Sequence, residues 1–126
     1  LNDAIRAYVA GAPAAAAAMC RAALEMTLVD HFDIDCFQRD ADGIPKKNKR
    51  GDTYTLPLEK IIHRIERDRR YEWVKRFDLL TLKQMADDVM HRYSRRNRLS
   101  AEEDEKIVEF IRAIGALIEG GPGKPL

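Results

Sequence analysis

From Ala14 to Val29 the chain is apolar apart from Arg21, Glu25 and Thr27, and it contains no glycine or proline. A helix with apolar side chains on nearly every side is stable only where neighbours surround it. The segment therefore predicts a central helix, opened by Pro13 in its first turn and running to about Phe32. It is too short to span a bilayer. The stretch Ala7 to Cys20 has no basic leader and continues into Arg21 and Glu25 within one helical pattern, so it does not read as a signal sequence. No membrane partner is expected.

A buried central helix needs amphipathic helices to cover it, and the rest of the chain supplies them. Asn2 or Asp3 can cap a short first helix that Gly11 ends. Pro57 opens a third, in which Leu58, Ile61, Ile62 and Ile65 form an inward stripe at spacings of three and four. Tyr71 to Phe77 predicts a short helix docking Trp73 or Phe77, and Leu79 to Tyr93 a longer one using Leu82, Met85, Ala86, Val89 and Tyr93. Ser100 and Glu103 form a capping box at the start of the last helix, where hydroxyl and carboxylate satisfy free backbone donors. That helix carries Ile107, Phe110, Ile111, Ile114, Leu117 and Ile118 on one face and stops at Gly120 and Gly121.

Residues 33 to 54 lack periodicity. They gather turn formers, Asp42-Gly43 and Arg50-Gly51-Asp52, around a basic run of Lys46, Lys47, Lys49 and Arg50. A long, mobile connection is expected there. No strand alternation, internal repeat or long heptad pattern is evident. At 126 residues, one core is the natural reading. The expectation is an all-α bundle of about five helices over residues 1–121, followed by a tail at 122–126. Opening at Leu1, the chain reads as a piece of a longer polypeptide.

The formal net charge is +1, so no global field draws the chain to nucleic acid or anionic lipid; only local patches could. Two cysteines without a spacing pattern, Cys20 and Cys36, imply a reducing cytoplasm rather than a disulfide framework. His31, Asp35 and Cys36 lack a second ligand pair, and no serine has a defensible catalytic arrangement, so neither a metal site nor a cofactor is expected.

Three groups of polar residues could carry chemistry. Arg21 and Glu25 sit four apart on the central helix and are read either as a structural ion pair or as a polar pocket facing the other helices. Lys83, Asp87 and His91 are spaced four and four along the penultimate helix. A lysine there could hold a phosphate while the imidazole moves a proton; the alternative is a solvated face with favourable charge pairs. His91, Arg92, Arg95, Arg96 and Arg98 concentrate positive charge before the last helix, where they could meet phosphates or be neutralised by Glu102, Glu103 and Asp104. With Lys46 and Lys47 they form the candidate nucleic-acid surface.

Arg21-Ala22-Ala23-Leu24-Glu25 after the alanine run, then Leu58 to Ile65, then Lys83 to His91, resembles the helical family called domain of unknown function 4145, which belongs with the HEPN superfamily. The likeness covers roughly Ala4 to Ile118. The family's R-x-x-L-E segment is met by Arg21, Leu24 and Glu25. Its second segment, approximately R-x-x-G-N-x-x-x-H, is met at His91, but lysine, alanine and aspartate stand for the arginine, glycine and asparagine.

The resemblance implies a homodimer working in bacterial defence, with a partner domain or protein and with RNA as a possible ligand. Active HEPN ribonucleases place an arginine four to six residues before a histidine and cleave RNA without metal. No arginine here has that spacing. Lysine lacks the planar fork that grips phosphate, and Asp87 adds negative charge. The expected function is a non-catalytic interaction or dimerisation domain. The alternatives are a ribonuclease using His91, Lys83, Asp87 and Glu25, and an RNA- or DNA-binding module.

Overall fold

The computed structural model describes residues 1–9, 11–92 and 100–120. Its elements run α1 (Asn2–Val9), α2 (Pro13–His31), α3 (Leu58–Arg67), a 3-10 segment (Arg69–Phe77), α4 (Leu79–Arg92) and α5 (Ala101–Glu119). This is an all-α bundle around one hydrophobic core.

Helix boundaries follow local chemistry. Beyond α1, Gly11 takes φ +75° and donates to the Tyr8 carbonyl while Ala12 donates to that of Ala7, closing the free carbonyls of the helix end. Asp68 follows α3, and its carboxylate accepts from the Arg70 amide. At α5 the capping box is formed: the Glu103 amide donates to Ser100 Oγ at 3.1 Å and the Ser100 amide donates to Glu103 Oε1 at 3.2 Å. Gly120, at φ +86°, ends that helix. Gly121, the tail and Tyr93 lie outside the described residues.

The core contains all four residues of the α3 stripe, together with Leu24 and Leu28 of α2, Leu82, Ala86 and Val89 of α4, and Ile107, Phe110, Ile114 and Leu117 of α5. Two expectations are refined. Ile118 is exposed. Val74 is the fully buried residue of the 3-10 segment; Trp73 and Phe77 lie at the rim of the core, with Trp73 5.9 Å from Phe32 between ring centroids.

The connection between α2 and α3 pairs its backbone within itself. The Gln38 amide donates to the Tyr54 carbonyl, Tyr54 to Lys46, and Lys46 to Gln38, each at 2.9 Å, so three segments close a ring. Two matching turns join them. Asp40 Oδ1 accepts from the amides of Asp42 and Ile44, and Asn48 Oδ1 accepts from those of Arg50 and Asp52. Gly43 and Gly51 take φ +79° and +85° at equivalent places. The unit thus repeats after eight residues (40 to 48, 43 to 51), where the sequence reading found no repeat. Its closing segment brings Thr55 to α2, where the hydroxyl donates to Glu25 Oε1 at 3.3 Å.

Candidate functional site

The polar cluster of this bundle lies where α2, α3 and α4 meet. Lys83 Nζ is 2.9 Å from Asp87 Oδ2 and 3.3 Å from Glu59 Oε1, with its side chain only 11% exposed. Arg21 Nε is 3.0 Å from Asp87 Oδ1. That contact is an ion pair but not a hydrogen bond: the oxygen lies off the N–H direction, and Nε is buried without a hydrogen-bond partner. Two cations and two carboxylates share the cluster, so it has no net charge to attract an anion.

The expected ion pair between Arg21 and Glu25 is not formed. Arg21 turns to Asp87 on α4, and Glu25 accepts from Thr55. Sequence spacing favoured the local partner, whereas tertiary packing offered a carboxylate across the helix interface. Glu59 was missed for a related reason: on a ten-residue amphipathic helix it reads as one more solvated charge.

Of the three residues spaced along α4, the structure joins two. Lys83 and Asp87 pair, while among the described residues no hydrogen bond or ion pair reaches the exposed His91. Eight residues at ~1.5 Å each put His91 about 12 Å along the axis from Lys83. The hydrogen bond that Lys83 donates to Asp87, reinforced by the one it donates to Glu59, holds its ammonium above the ordinary pKa despite the opposing cost of burial. A lysine so committed stays charged through neutral pH and does not accept a proton, and two of its three N–H donors already face carboxylates.

The candidate nucleic-acid residues fall in two places. Lys46 and Lys47 are exposed on the paired connection, among Asp40, Asp42 and Asp52. The side chain of Arg92, with all of Arg95, Arg96 and Arg98, lies outside the described residues.

A further surface was hidden from sequence reading. The helix predicted to be wrapped on all sides is covered on one only. Ala16, Ala17, Cys20, Leu24, Thr27 and Leu28 are buried; Ala15, Met19, Ala22 and Met26, at spacings of three and four, face solvent. Met26 is 64% and Met19 43% exposed. Beside them a shallow groove of about 350 Å³ is lined by Ala22, Glu25, Met26, Val29, Asp30 and Thr55. Both sides of α2 are apolar, so periodicity could not tell the core side from the exposed one.

No family model, curated protein or solved structure matches this chain. Over its described residues the chain is an all-α bundle with a neutral inter-helix charge cluster and an uncovered apolar face on α2. No helix among the described residues is long and apolar enough to cross a membrane.

Proposed function

We propose that this chain is a non-catalytic helical interaction domain. The carrying observation is that Lys83 and Asp87, the residues that would serve a phosphate, are consumed by each other and by Arg21 and Glu59. A phosphate at Lys83 would have to displace a partly buried carboxylate, at a cost of several kcal/mol for the stranded charges. His91 would remain about two turns away along α4.

The uncovered face of α2 supports the other half of the reading. A soluble domain gains nothing by exposing large methionines along a helix unless another surface covers them, and contiguous apolar patches mark interaction sites. Methionine suits such a surface because its flexible thioether adapts to the shape opposite. The bacterial defence or nucleic-acid-handling setting follows the HEPN resemblance of residues 4–118, a place in the cytoplasm follows the unpatterned Cys20 and Cys36, and both belong to this proposal.

The test is RNA cleavage by the purified chain against its His91→Ala variant. The reading expects the same background from both. Cleavage that disappears in His91→Ala would instead establish a HEPN-type ribonuclease with a degenerate motif.

A further inference from the structure

We infer that the uncovered face of α2 docks a cationic amphipathic helix of a partner protein, whose large apolar side chains enter the face and whose flanking arginines or lysines meet Glu25 and Asp30. This rests on the interaction-domain reading and adds the site and the partner's chemistry.

The shape follows from spacing. On a helix, residues at i, i+3, i+4 and i+7 enclose a hole that takes one side chain of a facing helix. Met19, Ala22, Ala23 and Met26 stand in that relation, with two small alanines between two larger methionines, and of the four only Ala23 is half-buried rather than exposed. One turn on, Ala22, Glu25, Met26 and Val29 repeat the arrangement, and these four line the groove together with Asp30 and Thr55. Successive holes along one helix fit the successive side chains of another helix, and their apolar lining favours large apolar ones.

Charge selects which helix. At about 100° per residue, Glu25 lies about 100° to one side of Met26 and Asp30 about 40° to the other, so carboxylates flank the methionine on both sides. Asp30 is exposed and enters no hydrogen bond or ion pair among the described residues, and Glu25 is held only at Oε1, by Thr55. Arg21, the only arginine or lysine of α2, is turned to Asp87 on α4. The ionisable groups lining the groove are therefore both anionic. Nucleic acid and anionic lipid are repelled by such a surface, and the same face of a second copy would bring only more carboxylate. A helix that carries arginine or lysine beside its apolar stripe complements it, the stems lying on the apolar floor and the heads reaching the carboxylates.

One wall of the groove comes from the paired connection. The Thr55 carbonyl accepts from Gln38 Nε2 at 2.9 Å while its hydroxyl donates to Glu25. A helix seated in the groove covers this closing segment, so occupancy should steady the ring formed by the backbones of Gln38, Lys46 and Tyr54.

The test uses two synthetic helical peptides of about 15 residues, ~22 Å long, with identical leucine stripes flanked by arginine in one and by glutamate in the other. Titrated into the purified chain, the arginine peptide is expected to bind in the micromolar range and the glutamate peptide about tenfold more weakly. Glu25→Gln combined with Asp30→Asn, which keeps an acceptor for Thr55, should weaken the arginine peptide about fivefold, and Met26→Ser about tenfold. In hydrogen exchange the bound arginine peptide should slow the amides of Gln38, Lys46 and Tyr54. Equal affinity for the two peptides, binding of neither, or arginine-peptide binding unchanged by Met26→Ser overturns the assignment. Any of these leaves the interaction-domain reading standing, since that reading falls to RNA cleavage that needs His91, so the two failures are distinguishable.

Discussion

Arg21 on α2 and Asp87 on α4 meet at 3.0 Å with their side chains 38% and 21% exposed, so one carboxylate spans two helices while its other oxygen holds Lys83. Asp87 is therefore the hinge of the cluster. Removing it takes the carboxylate from Arg21 and leaves Lys83 with Glu59 alone, whereas removing either cation leaves Asp87 a partner.

That asymmetry is measurable by urea unfolding. Asp87→Ala is expected to cost about 2 kcal/mol, because Lys83 is left buried with only Glu59. Lys83→Met is expected to cost under about 1 kcal/mol, since methionine fills the volume of the stem and Asp87 keeps Arg21. A reversed order would contradict the geometry.

The paired connection should respond as a repeat. Nothing lies within 4 Å of a Cβ added at Gly43 or Gly51, so Gly43→Ala and Gly51→Ala differ from wild type only through the positive φ. Each is expected to weaken the unit by about 1 kcal/mol. In hydrogen exchange, either substitution should speed the amides of Gln38, Lys46 and Tyr54 and leave α3 unchanged. Slowed exchange only in wild-type α3, with the ring amides already unprotected, would mean that the ring does not persist in solution.

Burial pushes the Cys20 thiol up to about 11 from an ordinary 9.0. A thiol whose folded pKa is raised stabilises the fold fully below the unfolded value and loses that contribution as pH rises through the folded one. Stability should therefore decline between about pH 9 and 11. Cys20→Ala should flatten this part of the curve, and an alkylating reagent at pH 8 should spare Cys20 until the chain unfolds. Rapid labelling of native Cys20 would show that α2 is not packed as described.

Loss of the α5 cap is expected to be ordinary in size. Ser100→Ala removes the acceptor of the Glu103 amide and should lower stability by about 1 kcal/mol, read from the thermal midpoint; Ser100→Asp should restore most of it.

The features legible in the sequence are those written in local spacing. The α3 stripe places Leu58, Ile61, Ile62 and Ile65 in the core because only one face of that helix is apolar, and the Ser100–Glu103 box forms because both partners lie within one turn. What was not legible depends on distance or on backbone. Arg21 finds Asp87 instead of Glu25 because helix packing outcompetes a neighbour on the same helix. The connection's ring is made by main-chain groups of Gln38, Lys46 and Tyr54, whose side chains share nothing; only the spacing of Asp40 with Asn48 and of Gly43 with Gly51 hinted at it. Which side of α2 faces the core is undecidable from an apolar run, and the candidate surface sits on the side left out.

Methionine oxidation of the folded chain in dilute solution asks directly whether that side of α2 is left open. Met19 and Met26, 43% and 64% exposed, should oxidise readily, as should Met90 at 42%, while Met85, packed against the core, should oxidise more slowly. Met26 as slow as Met85 would contradict an α2 face left open by the fold.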